Sequence, residues 1–199
     1  MSWLDTVNQW DVAAFRWLNG LHAAWLDPVM ETLSSKTAWI PVYVLLLLLI
    51  WRKDGWQKTL WLLACVAILI TLTDQTASGL LKPWIARFRP CRPEAGLDFP
   101  IHLIGGKCGG KYGFASSHAA NFFGLTMFLR AYFANRKIGI ALILLASIVA
   151  YSRIYLGVHY PGDVLAGACI GAVAAWIVAS GYQRGLNKWF PRTSKKPAA

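Results

Sequence analysis

The feature that most constrains this chain is a succession of apolar runs, the densest being IPVYVLLLLLIW, Ile40 to Trp51. In hydrocarbon every backbone N–H and C=O must be satisfied within its own segment, so such runs are expected to be helices that cross a bilayer. With 56% hydrophobic and only 15% charged residues, the chain lies outside the range of soluble domains. Six spans are read: Leu21–Ser35, Trp39–Trp51, Trp56–Leu81, Ser116–Ala134, Ile138–Ser152 and Pro161–Tyr182. Asp27, Pro28 and Glu31 interrupt the first, which rests on topology rather than on hydropathy. Several runs fall short of the ~20 residues that span a hydrocarbon core, so tilt or local thinning must make up the difference.

Before the first span, Trp3, Leu4, Val7, Trp10, Ala14 and Trp17 recur at helical spacing, while Asp5 and Asp11 argue against a cleavable signal peptide. An interfacial helix with an aromatic face at the headgroups fits this pattern, the alternative being a first helix packed on the bundle. The expected fold is all-α: a polytopic membrane helical bundle of six transmembrane helices. It forms one domain over residues 1–199, with 1–20 as the N-terminal interfacial helix and 185–199 as a basic cytoplasmic tail. Gly167, Ala168, Gly171 and Ala172 give the last span a small-residue stripe, expected to pack within the chain or, alternatively, to form a dimer face.

Lys and Arg number 20 against 9 Asp and Glu. Six spans put both termini on one side, together with the connections after spans two and four. That side carries the larger share of basic residues, which places it in the cytoplasm. The long connection after span three and the short one after span five then open together on the outer face.

Those two connections carry three motifs. The first joins Lys82, after six residues, to Arg89 and Pro90; the second ends in Ala115, Ser116, Ser117 and His118. The third is SRIYLGVHYPGD, with Ser152, Arg153, His159 and Asp163 at its defining positions. Together they resemble the type 2 phosphatidic acid phosphatase (PAP2) superfamily, whose signatures are KxxxxxxRP, PSGH and SRxxxxxHxxxD. The first and third match throughout, and the second departs from the signature at Ala115 and Ser117. The resemblance covers essentially the whole chain and implies a metal-independent lipid phosphatase.

The chemistry follows from the residues as well. Lys82, Arg89 and Arg153 are cations that must converge beside a bilayer, which is unfavourable unless a polyanion such as phosphate joins them. Ser116 and Ser117, at the start of the fourth span, add helix N-terminal N–H groups to this phosphate-binding set. Asp163, one helical turn after His159, can fold back onto the imidazole, fix its orientation and leave the other nitrogen free to attack phosphorus. His159 is the expected nucleophile, and His118 the expected acid for the leaving oxygen and base for water. Asp74 is expected to support Lys82 or Arg89, or else to pair with another helix. His22 and His102 are read as ordinary interfacial residues.

Histidines set among cations disfavour a divalent ion, so neither a metal nor another cofactor is expected. Cys65 and Cys169 are read as apolar packers, while Cys91 and Cys108, both in the outer connection, suit a disulfide worth up to roughly 3 kcal/mol.

The expected partners are a membrane lipid phosphate and the bilayer, with no nucleic acid, and the expected location is the bacterial inner membrane with the site facing the periplasm. Undecaprenyl pyrophosphate leads as substrate, with phosphatidylglycerol phosphate, phosphatidic acid and lipid A phosphates as competitors. Transfer to another lipid acceptor is a variant of the same chemistry, and a non-enzymatic module that binds anionic lipid is the alternative class. Since one imidazole must start neutral and the other charged, the rate of phosphate release measured across pH is expected to be bell-shaped.

Overall fold

A computed structural model describes residues 2–191 of the chain. Helix α1 (Trp3–Gly20) starts with a reciprocal cap, Asp5 N donating to Ser2 Oγ at 3.2 Å and Ser2 N to Asp5 Oδ2 at 2.7 Å. Along α1, Asn8 meets Arg87, Asp11 meets Gly162, Phe15 packs on Phe99 and Tyr160, and Asn19 bonds His102, Ile154 and Tyr155. These partners all belong to one end of the bundle, although Asn8 and Asn19 stand about 16 Å apart along the helix. Helix α1 therefore lies packed across that end, with Trp3, Trp10 and Trp17 exposed on its other face.

The expectation for Leu21–Ser35 does not hold. Only Asp27–Ser34 is helical there (α2), and eight residues rise about 12 Å, far less than a bilayer core. Its axis is bent by 78° against the following helical stretch, Thr37–Asp54, so the two make at most one broken or re-entrant crossing. Asp27 and Glu31 exclude the segment from hydrocarbon, and Pro28 suits only its first turn.

The bundle itself consists of α3 (Ile40–Asp54), α4 (Trp56–Asp74), α6 (Ser117–Phe133), α7 (Arg136–Tyr155) and α8 (Pro161–Trp189). A π-helical stretch, Gln75–Leu81, joins α4 to the short α5 (Lys82–Ile85). Trp56–Ile85, Arg136–Tyr155 and Pro161–Trp189 are long and apolar enough to cross a membrane, and the bent pair would be a fourth crossing. The 17 residues of α6 pack against α4, α7 and α8.

Without that crossing, α1 and the last turns of α8 lie at opposite ends of the bundle. Helix α1 sits at the end where α8 begins, whereas the far end of α8 meets the start of α4, where Trp61 packs on Trp189 and donates to Tyr182 O at 3.2 Å. Helix continues through 185–189, where a tail was expected, and residues 192–199 of that tail lie outside the described residues.

Helices α6 and α8 hold the bundle together. A methyl group at Gly167 would collide with the carbonyl of Ser116, and one at Gly171 with that of Ala120, so the small-residue stripe lets the two backbones touch within the chain. Below this contact Leu62, Cys65, Leu69, Phe128, Val178 and Tyr182 form a core. Leu45, Leu49, Leu165 and Trp176 face outward, as lipid-facing residues should. Cys169 is also exposed, unlike the packed Cys65.

The outer connection is closed by the Cys91–Cys108 disulfide, with Cα atoms 5.7 Å apart, and by a bridge pairing Phe88 with Tyr112. Gly171→Leu is expected to cost about 1–3 kcal/mol through overpacking and to lower the unfolding temperature in detergent.

Candidate active site

Each motif reaches the same end of the bundle by a different local device. In the π-helical stretch the N–H of Lys82 bonds to Ala77 O, which widens the turn and directs Ser78 and Lys82 towards α6. There Lys82 Nζ donates to Ser117 Oγ at 2.6 Å and to Ser78 Oγ at 2.9 Å. Asp74 supports this lysine at one remove, accepting from Ser78 Oγ at 3.4 Å.

Arg89 follows in the outer loop, held by Gly113 N donating to Arg87 O at 2.8 Å and by Arg89 N donating to Lys111 O at 3.4 Å. Its buried guanidinium donates from Nη1 to Val158 O at 3.2 Å and stands 3.1 Å from His159 Nε2. Arg153, in the last turn of α7, donates to Ser34 Oγ of α2. The buried Nε atoms of Arg89 and Arg153 have no partner among the described residues, so both guanidiniums keep a donor for an oxyanion.

His159 precedes α8 and is 2% exposed. Its Nδ1 lies 3.3 Å from Asp163 Oδ2, the fold-back expected from their spacing. Asp163, with no exposure, also accepts from Tyr160 N at 3.1 Å and from Arg87 Nη1 at 3.1 Å. Burial, and then the charges of Arg89, Arg153 and Lys82, hold the His159 imidazole well below the ordinary histidine range, so the ring is neutral near pH 7. His118, in the first turn of α6 beside Ser117, lines the same groove as that serine. The structure thus gathers Lys82, Arg89, Ser117, His118, Arg153, His159 and Asp163.

Ser116 also has a structural role beside them. Its fully buried hydroxyl accepts from Ala119 N at 3.4 Å as the cap of α6, and its own N–H donates to Asp163 O at 2.9 Å. His102 is more than an interfacial residue: its Nε2 lies 2.9 Å from Asp27 Oδ1, which also accepts from Tyr155 Oη at 2.5 Å, and its ring stacks on His22. This cluster ties the outer loop to α2 and α7.

Sequence reasoning missed Arg87 and Asp11. Arg87 bridges Asp163 to Asp11, 2.6 Å away, and lies over the Tyr160 ring at 3.9 Å, while Asp11 also accepts from Gly162 N at 2.7 Å. Arg87 stands two positions before Arg89, and a carboxylate on an interfacial helix was the one available hint of its partner. Among the described residues, no three His, Cys, Asp or Glu side chains cluster as metal ligands would.

Residues 59–186 match the model of the PAP2 superfamily. The lipid A 4'-phosphatase of Bacteroides thetaiotaomicron is 35% identical over 174 residues, 87% of this chain and 77% of that protein. An undecaprenyl-diphosphatase of Sulfolobus acidocaldarius is 30% identical over 173 residues, 84% of this chain and 74% of that one. The crystal structure of Aquifex aeolicus LpxE superposes with a TM-score of 0.67 at 25% identity, covering 85% of this chain and 94% of its own.

Because Arg87 is, among the described residues, the only guanidinium bonded to Asp163, Arg87→Ala is expected to lower kcat for phosphate release roughly 10- to 100-fold by loosening the carboxylate that steadies His159. Asp11→Asn, one contact further out, is expected to have a smaller effect in the same assay.

Proposed function

The chain belongs to the PAP2 superfamily and is a membrane lipid phosphatase, and on that premise we propose that it works through a phosphohistidine formed on His159. The observation that carries this reading is the two-sided hold on the imidazole: Nδ1 on buried Asp163, Nε2 facing Arg89. A phosphoryl group arriving among Lys82, Arg89 and Arg153 competes for the Arg89 guanidinium and frees the Nε2 lone pair. Nε2 then bonds to phosphorus as the bond to the lipid oxygen breaks, and His118 protonates that oxygen. The ring becomes cationic, which Asp163 stabilises, while the three cations balance charge on the equatorial oxygens. Water next attacks phosphorus with His118 as base, the P–N bond breaks, and phosphate leaves.

The proposed substrate is a lipid A-type phosphomonoester, supported by identity to the Bacteroides enzyme and likeness to the Aquifex structure. A polyprenyl diphosphate is the second reading, favoured by the Sulfolobus relative and by a lysine outside the motifs, Lys36, which lines the same groove as His118 and Ser117. Orientation follows from charge. Arg52, Lys53, Lys58, Arg136, Lys137 and Arg184 belong to the connections and helix end away from the site, which supports a site facing the periplasm.

Purified protein in detergent with EDTA is expected to release phosphate from lipid A or undecaprenyl diphosphate. His159→Asn should abolish turnover, and His118→Asn should slow it by about 10²- to 10⁴-fold. Activity that needs a divalent ion, or that survives in His159→Asn, would contradict the reading. The His159 nucleophile must be neutral and its proton affinity is lowered, so the acid limb of kcat/KM is expected below the ordinary histidine value of about 6.5.

A further inference from the structure

A groove of about 530 Å³ opens beside the cluster of cations, between α3, α4 and α6. Ser117, whose Oγ is 2.6 Å from Lys82 Nζ, marks the phosphate end, and Ile50, Leu62 and Leu129, all nearly buried, lie at the other. The tail of a lipid whose phosphate sits among Lys82, Arg89 and Arg153 has this groove as its continuation. Asn121 stands in the wall one helical turn beyond Ser117, about 6 Å further along α6. It is the only amide side chain among the lining residues, and from Phe122 and Leu125 onwards α6 offers the groove no polar group. Tyr43, across the groove on α3, is exposed and stacks on Trp39.

Thr73 of α4 fixes that amide. Its hydroxyl lies 2.5 Å from Asn121 Oδ1, a length that belongs to O–H···O rather than N–H···O bonds, so the hydroxyl donates and the amide oxygen accepts. Thr73 is fully buried, but Leu69 O and Ile70 O stand 3.0 Å away as alternative acceptors, so its burial does not by itself call for an asparagine. With Oδ1 held against α4, Nδ2 is the free arm of the planar amide. It has no partner among the described residues and is not sealed off from the groove. An amide donor set in a largely apolar wall is unfavourable until an acceptor meets it.

Resting on the lipid phosphatase reading, we infer that Asn121 selects acylated lipids, its Nδ2 donating to the carbonyl of an acyl group carried on the carbon next to the phosphorylated one. In such a lipid a two-carbon linkage separates phosphate from acyl group, which suits the single turn of α6 between Ser117 and Asn121. The hydrocarbon beyond the carbonyl then follows the apolar wall towards Leu129. Acylated sugar phosphates and glycerol phosphates carry this carbonyl, as an ester or an amide. A polyprenyl phosphate or diphosphate has no acceptor at that position and leaves Nδ2 unpaired against its own chain. The contact therefore discriminates through the donor it leaves unsatisfied as much as through the bond it makes. Thr73 is the positioning residue, since it decides which end of the amide meets the lipid.

Dimyristoyl phosphatidic acid and its dialkyl ether analogue share phosphate, glycerol and tail length and differ only in the carbonyls, which makes them the direct probes. Phosphate release from each is measured with the full-length protein in detergent, for wild type, Asn121→Leu and Asn121→Asp. A neutral hydrogen bond corresponds to about two- to tenfold in kcat/KM. Wild type is expected to prefer the diacyl lipid by that factor, and Asn121→Leu to bring the preference close to one. Asn121→Asp, of the same size and still able to accept from Thr73, puts an acceptor where the donor was. Its preference is expected to fall to one or below, and it stands in for the leucine variant should that one not fold. Because the readout is a ratio of two substrates on one protein, looser packing between α4 and α6 lowers both rates and leaves the ratio unmoved. Wild type without a preference, or a preference kept in a folded variant, would overturn the inference and leave the phosphohistidine reading intact, as would release from lipid A but from neither glycerolipid. Release from none of the three would overturn both.

Discussion

The contact between Asp163 and His159 is the constraint on which the rest of the site depends. A buried imidazole surrounded by guanidinium and ammonium groups stays neutral, and so nucleophilic, but it is stable there only if its orientation is fixed and one nitrogen is satisfied. A buried carboxylate one helical turn away does both. That carboxylate is itself costly in a site without exposure, and its charge is met by Arg87 and by the N–H of Tyr160, the residue that precedes α8. The architecture can be understood as what is needed to keep this pair in place: glycines that bring α8 against α6, a bridged loop that carries Arg87 and Arg89, and an interfacial helix that supplies Asp11.

The positive charge has a different logic. Lys82, Arg89 and Arg153 repel one another, and among the described residues none of the three forms a direct ion pair with a carboxylate. In a soluble protein such a set would spread into water. Here α5, α7 and the bridged outer connection fix the backbone at three separate points, so the repulsion is retained and becomes affinity for a phosphoryl group that gains charge as it reacts. The same positive field argues against a divalent metal ion.

Much of this was legible in the sequence because motif spacing survives folding. The separation of His159 and Asp163 is one helical turn, and Lys82, Arg89, Ser117, His118 and Arg153 had to converge if a polyanion was to justify burying them. What escaped prediction depends on tertiary geometry. The π-helical stretch before Lys82 has no pattern in QTASGLL that announces it. Arg87 looked like one more basic residue of an outer loop until Asp11, 76 positions earlier, was seen beside it. Ser116 was given a ligand's role because helix N-termini attract anions, and spacing alone did not suggest that its hydroxyl also caps α6. Leu21–Ser35 was read as a span on topology rather than hydropathy, and its acidic residues already pointed to the interface.

A structure of the protein with orthovanadate tests the central claim most directly. The account predicts vanadium bonded to His159 Nε2, with Nδ1 still on Asp163 and the equatorial oxygens held by Lys82 and by the now partnered Nε atoms of Arg89 and Arg153. Vanadate attached to His118, or bound away from the α8 N-terminus with Arg89 still against His159, would contradict it.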